Sequence, residues 1–572
     1  MKSKMSFFDP TLLKKNIGRF APAWAILQVA MFLAFPMTLM LELANMDVIG
    51  ADRREVALRH LSSSVDAGVV FAVIAALLFA ALVFKYLHST KAAYMMHAFP
   101  MTRNCMYVTN LVSGLLFYLV PALVTTLCCL GVLAARGVSG CDGQVWGMFL
   151  FWTLQYLFFY GLAVFTMHIS GRTVISVLSY AALNFVFLLI PVLIMILLEN
   201  YFYGFDYWIS DPLVRLAPAV ALLREEGPLL GLTAVYGGIG VVLLILAWVH
   251  YRVRQVERAG DAMVYTWARI AFRLIFTLCC ALGLGWILAA FFSMVASEST
   301  VYLPYALLGC FLGWFGSTMM LERTIKVFKS KKTWLGFAIF AAVLILFVAC
   351  LKYDLLGFQR RVPETARVES VDIWTDYRRY SETDRITITD AAQIDKIREI
   401  HTNALKARDK EDQEDNQFLD SWSSERVHIQ YKLKNGTTVR RCYELTEEKD
   451  IQAIGEFYAD PAVAAAWYDK VLPKTFRNVM LYGNDELIET DEYGNEYYGQ
   501  TVLECRDISA LRAAMIADAA AGRLPISNGF NGYGKYEDEV TYYNLEFYAD
   551  QDSYWYSFAI PETATETLRL FR

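Results

Sequence analysis

No G-x-x-x-x-G-K-[ST] phosphate loop occurs in the 572 residues. Any nucleotide motor acting with this chain must therefore be a separate polypeptide. The longest apolar runs contain no Asp, Glu, Lys or Arg. Ion-coupled carriers and proton relays keep such groups inside the membrane, so that class is disfavoured. No C-x-x-C pair or Cys/His cluster marks a metal site. His401 and His428 stand alone along the chain, and no Ser/His/Asp set for nucleophilic catalysis is legible. A cleavable leader is not legible either. Lys2, Lys4, Lys14, Lys15 and Arg19 make a basic start, but the apolar stretch that follows is too long for a signal core and no A-x-A site ends it. It reads as a retained first span.

What is present is apolar surface. Hydrophobic residues make up 56% of the chain and the mean hydropathy is +0.35, which points to a polytopic membrane protein. Nine runs are long enough to cross a bilayer, near 20–41, 67–84, 108–134, 146–169, 173–198, 228–249, 274–296, 302–321 and 334–351. Residues 352–572 read as a soluble domain. The charge divides with them: +9 over residues 1–351 and −14 over residues 352–572, and an acidic soluble part does not bind nucleic acid. The connecting segments on one side carry 19 Lys and Arg, those on the other side 6. The first side is expected to be cytoplasmic. With nine spans, the amino terminus is then inside and residues 352–572 are outside.

Four short stretches carry information. In 9–20, Asp9 is placed to cap a helix that starts at Pro10. Leu12, Leu13, Ile17 and Phe20 repeat at helical spacing against Lys14, Lys15 and Arg19. This suits either an amphipathic helix on membrane lipid or a basic flank to the first span. "KAAYMMHAFPMTRN", from Lys91, predicts two helical turns ended by Pro100, with Tyr94, Met95 and Ala98 on one face and Thr102 capping the next helix. It reads as a docking helix or as a plain loop. In "YRVRQVERAGDAMVY", Arg252, Arg254, Glu257 and Arg258 predict a charge lattice on a solvated helix that Gly260 ends. Between the fifth and sixth spans, Asp211-Pro212 and Ala217-Pro218 look like starts of short helices dipping into the outer leaflet. Gly309 and Gly313 form a G-x-x-x-G in the eighth span, a spacing that permits close helix packing.

Three of these stretches resemble a known family. "HAFPMTRNCMYVTNLVSGLLF" resembles the segment after the second span of ABC-2-type transporter permeases of Gram-positive bacteria, with Phe99 where Leu is expected. "YRVRQVERAGDAMVY" is similar to the segment after their sixth span, and "SFFDPTLLKKNIGRFAPAW" to their amino terminus. The resemblance implies an interfacial helix over 1–19 and a six-span core over 20–265 of the type-2 ABC exporter kind; the three additional spans over 266–351 go beyond that core. It implies a coupling segment in which Tyr94, Met95, Pro100, Met101, Thr102 and Arg103 touch a cytoplasmic ABC ATPase. Met and Tyr would be the apolar anchors there, and Arg103 a charge-assisted contact. Arg254, Glu257 and Gly260 would mark a second cytoplasmic segment. It also implies a second permease subunit, identical or not. ATP and magnesium would reside in the ATPase, with no cofactor or catalytic residue in this chain. The rival reading is a membrane-anchored sensor whose outer domain binds a ligand and signals inward. A membrane enzyme is a third reading, without a catalytic set to support it.

Residues 352–572 predict an extracytoplasmic α+β domain. "VHIQYKLKNGTTVRRCYEL" is a hairpin around Asn435-Gly436, read as a two-residue turn. "VTYYNLEFYADQDSYWYSFAI" predicts a second hairpin. Each follows a helix started by an aspartate, Asp390 or Asp507, and each helix follows a short strand. The pattern suggests two strand–helix–hairpin repeats. The many Tyr and Trp of the second copy suit a small core. Asn435-Gly436-Thr437 matches a glycosylation sequon by pattern alone. Cys442 and Cys505 are the only cysteines in this part, and a disulfide between them is open.

Overall fold

The computed structural model of the chain describes residues 7–49, 53–207, 211–223, 230–292, 298–355, 357–375, 385–411, 425–445, 448–490, 496–526, 542–549 and 555–571. They fall into two units. One comprises Met1–Leu197 and Trp208–Val348, the other Leu198–Tyr207 and Ala349–Arg572.

Among the described residues of the first unit, nine helices are long and apolar enough to cross a membrane. They are Ala21–Ala44, Arg53–His88, Arg103–Ala135, Asp142–Ile169, Thr173–Tyr201, Leu230–Val253, Thr266–Phe291, Val301–Glu322 and Lys331–Lys352, numbered here as spans one to nine. Span five reaches a few residues into the second unit. The set is that of a multi-pass α-helical membrane protein. Each helix satisfies its own backbone, as hydrocarbon requires. Span two begins well before residue 67 because its first turns carry Arg59, His60 and Asp66, which a hydropathy reading leaves out. His60 is buried and approaches the carbonyl of Phe35 at 3.2 Å. Phe35 lies in a π-helical turn, Leu33–Met37, that contains Pro36.

Phenols and indoles make many of the packing contacts between the spans. Tyr118, Tyr156 and Tyr160 stack in sequence, with centroids 4.0 and 5.3 Å apart. Tyr156 donates to the Gly114 carbonyl at 2.8 Å, Tyr107 to that of Leu244 at 2.7 Å, and Trp152 to that of Ser64 at 3.0 Å. The G-x-x-x-G of span eight lies against span seven: a Cβ on Gly309 would come 2.4 Å from the Cys280 carbonyl oxygen. The expected helix before span one is present as α1, Pro10–Arg19, capped by the Asp9 carboxylate. It also touches span three, where the buried Asn16 donates to Asn110 and Ser113 at 2.9 and 3.0 Å. The two short helices after span five are present over Asp211–Val214 and Pro218–Ala221. Residues 1–6 of the amino-terminal segment and 293–296 of the seventh run lie outside the described residues.

The second unit holds two four-stranded antiparallel sheets of the same connectivity. β1 (Val368–Thr375), β2 (Ile386–Ile388), β3 (Glu425–Leu433) and β4 (Thr438–Leu445) are ordered β2-β1-β3-β4. β5 (Phe476–Thr490), β6 (Glu496–Glu504), β7 (Tyr542–Ala549) and β8 (Trp555–Pro561) are ordered β6-β5-β7-β8. Each sheet carries one helix in the same place in its sequence, Ala391–Glu411 or Ile508–Ala520, capped by Asp390 or Asp507. β1 and β5 were not read from the sequence, nor were the helices Glu448–Ala459 and Pro461–Val471 that join the copies. One hydrophobic core includes residues of both sheets.

Two expectations change here, and one open point is resolved. The β3–β4 turn has three residues instead of two, because Leu433 N–H donates to Thr437 O at 2.9 Å and only Gly436 is left-handed, at φ +79°. Cys442 and Cys505 are both free thiols. His428 is not isolated. Its Nδ1 lies 3.1 Å from Asp206 Oδ1 and its Nε2 3.8 Å from Cys442 Sγ. Burial opposes a charge on this ring, yet the hydrogen bonds to Asp206 and Cys442 outweigh it and raise the His428 pKa to about 10. His401 does sit in the core, where Tyr431 and Tyr443 flank its two nitrogens at 3.0 and 2.7 Å.

Candidate functional site

The segment between spans two and three folds as expected. Helix α2, Thr90–His97, stops just before Ala98, and Thr102 caps span three by accepting from Cys105 N–H at 3.1 Å. Ala93 is its one buried residue. Tyr94 and Met95 point away, 56% and 62% exposed, and Phe99 follows at 45%. Ala98 and Pro100 are exposed as well, whereas Met101, Thr102 and Arg103 are half-buried. The apolar face that the spacing suggests is therefore open to solvent.

Arg103 is used internally. Its Nη1 donates to the carbonyls of Arg252 and Arg254, at 3.1 and 3.0 Å. This ties the α2 segment to the segment after span six. His97 strengthens the tie by stacking on Tyr251, with centroids 6.1 Å apart. Burial lowers the His97 pKa, and the charges of Arg103 and Arg254 lower it further.

The expected charge lattice over 252–258 does not form. Span six ends at Val253, and only a single 3₁₀ turn, Val256–Arg258, follows. Arg254 turns inward and is 5% exposed. Its guanidinium donates to the carbonyls of Met167 and His168, at 3.2 and 2.7 Å, and to that of Leu87 at 2.9 Å. These are last-turn carbonyls of spans four and two, which have no helical partner of their own. A cation at two helix carboxyl ends also meets the negative end of both dipoles. Burial pushes the Arg254 pKa down to about 10. The sequence placed this arginine on a solvated face because its spacing from Glu257 and Arg258 was helical. Glu257 does remain exposed.

Gly260 has φ +93°, a conformation that favours glycine. Its N–H donates to Gly171 O at 2.7 Å, and Gly171 N–H donates to Asp261 O at 3.0 Å. Asp261 in turn receives Arg269 and Arg323, at 3.3 and 3.1 Å. The two segments singled out from sequence thus form one node, which joins the ends of spans two, three, four and six. Phe99 belongs to its exposed surface and was not counted there. Its place directly after the helix, beside Tyr94 and Met95, was the available signal.

The chain matches no protein-family model, no curated protein and no solved structure.

Proposed function

We propose that this chain is the membrane permease subunit of an ABC transporter of the ABC-2 type, with α2 as its coupling helix. The observation that carries this reading is the exposed apolar face of Tyr94, Met95 and Phe99 on a short helix outside the spans. Solvated connectors seldom present such a face, and a protein partner would cover it. The basic-residue count supports a cytoplasmic side for α2 and an outer side for residues 352–572. The partner is then a separate ATPase that holds ATP and magnesium, and a second permease subunit completes the complex. Arg103 and Arg254 give the coupling helix a rigid footing. A push on α2 would reach the ends of four spans through hydrogen bonds to backbone carbonyls. The work delivered is export of a solute or movement of the outer unit.

The test is the double variant Tyr94→Asp, Met95→Asp. Both side chains are exposed, so membrane insertion and yield should not change. Two charges in an apolar contact cost several kcal/mol, about a hundredfold or more in affinity. The variant should lose co-purification of the ABC ATPase that accompanies the unaltered chain and lose stimulation of its ATP hydrolysis. Full recovery of that ATPase with the variant would sink the coupling role. If no ATPase co-purifies with the unaltered chain, the sensor reading takes its place.

A further inference from the structure

The second unit brings together three metal-binding residue types that the sequence keeps far apart. Asp206 lies in the loop after span five, 222 positions from His428, and Cys442 lies 14 positions beyond His428. His428 on β3 and Cys442 on β4 are direct cross-strand partners, so both side chains leave the same face of the sheet. Trp374 is the partner of His428 on β1 and stacks on its ring, 5.1 Å away and within 4° of parallel. The Cys442 N–H donates to Gly204 O at 3.2 Å, which seats the loop against β4 two residues before Asp206. The Asp206 and His428 side chains are 5% and 13% exposed.

Two chemistries use Cys, His and Asp together. Asp206 is nearest Nδ1 of His428 and Cys442 nearest Nε2; a nucleophile–base–orienter relay would also hold thiol and carboxylate well apart, at opposite edges of the imidazole. Here one donor atom from each residue lies within 4.8 Å of the other two. Thiol and carboxylate are thus close to each other as well as to the ring, so the three donors converge. The Cys442 N–H is also committed to Gly204 and cannot help stabilise an oxyanion at the thiol. Convergence of thiolate, imidazole and carboxylate is the donor set of a borderline-soft divalent cation.

We propose that Asp206, His428 and Cys442 bind a zinc-class divalent ion, which fastens the loop after span five to the first sheet. Three protein ligands leave the fourth tetrahedral position to solvent. Metal ligands bind in their deprotonated forms, so metal binding strengthens as pH rises. The site does not depend on the transporter reading and stands or falls separately.

The experiment uses the full-length, untagged protein in detergent, stripped with a chelator and titrated with Zn²⁺ and, in parallel, with Co²⁺. One Zn²⁺ per chain should bind. Co²⁺ should produce visible ligand-field bands of a tetrahedral centre and a near-ultraviolet thiolate-to-metal band. Cys442→Ser should remove the thiolate band. His428→Ala and Asp206→Asn should each weaken binding beyond the 10–100-fold typical of losing an outer-shell partner. Absence of the thiolate band in the unaltered protein overturns the proposal, whatever the variants do. Zn²⁺ binding unchanged in all three variants overturns it as well, because the ion is then held elsewhere.

Discussion

Among the described residues each unit buries one arginine, and the two are held in the same way. Arg254 in the membrane unit donates to carbonyls of Met167, His168 and Leu87. Arg441 in the second unit is 1% exposed and donates to carbonyls of Phe358 and Arg440, both at 2.8 Å. It also lies over the Phe358 ring at 4.0 Å. A guanidinium is the cation best suited to this, because its fork of donors reaches several oxygens at once. Elsewhere the polar contacts of the two units differ. Between its spans, the membrane unit sends tyrosine and tryptophan donors to backbone oxygens. The second unit uses carboxylates: Asp390, Asp460 and Asp507 cap helices. Asp518, fully buried, receives Arg523 and Thr567 at 2.8 and 2.7 Å. Hydrocarbon penalises an ionised carboxylate far more than a phenol, whereas an aqueous domain can keep its caps at the surface.

The largest test of this comparison is Arg254→Met. It leaves the His168 and Leu87 carbonyls bare, while that of Met167 keeps His88 Nε2 at 3.0 Å; at about 1–3 kcal/mol each, a loss on the order of 2–5 kcal/mol is expected. The thermal midpoint of the membrane unit should fall sharply, and Arg254→Lys should rescue little, since one ammonium cannot span both helix ends. A midpoint equal to that of the unaltered protein would mean that these carbonyls find other partners.

Gly204→Ala probes the second unit. Gly204 has φ +75°, and a Cβ there would meet the Tyr443 ring at 2.4 Å. A cost of about 2–3 kcal/mol is expected from backbone strain and overpacking. Hydrogen exchange should quicken in β3 and β4 and stay unchanged in the spans. Unaltered protection of β4 would show that the loop does not brace the sheet.

His401 gives the second unit a pH dependence. Burial, then the charges of Arg441 and Arg398, lower its pKa to about 3. The unfolded chain binds a proton below its ordinary value of 6.5, and the folded one refuses it. This contribution is therefore complete above pH 6.5 and is lost as pH falls towards 3. The slope approaches about 1.4 kcal/mol per pH unit, or about 2 kcal/mol between pH 6.5 and 5. Melting of the second unit at these two pH values measures it. His401→Gln should flatten the slope, and an equally steep variant would place the proton elsewhere.

The smallest effect is expected at Tyr94→Asp, Met95→Asp. Exposed surface changes stay within about 0.5 kcal/mol, so the midpoint of the membrane unit should hold while partner binding disappears. A large drop in the midpoint would mean that this face is buried inside the protein.

The nine spans, α1, α2 and both hairpins were legible because each rests on a local signal. An uncharged apolar run sets a span, an aspartate or threonine sets a cap, and Pro100 stops α2. The candidate docking face was legible for the same reason, since Tyr94 and Met95 are neighbours on one short helix. The direction of Arg254 was not legible. Its spacing suits a solvated lattice, and only the arrival of two other helix ends, at Leu87 and at Met167–His168, gives the guanidinium better partners inside.

Taken by itself, the sequence determined that this chain crosses a membrane many times and carries a mixed α and β part after residue 352. Those properties follow from composition and from periods of a few residues, which act along the chain. Tertiary structure alone decided that β1 lies between β2 and β3, that Arg103 and Arg254 join two connecting segments, and that Asp206, His428 and Cys442 meet. Contacts between residues so far apart depend on how whole helices and strands pack, and no short stretch of sequence encodes that.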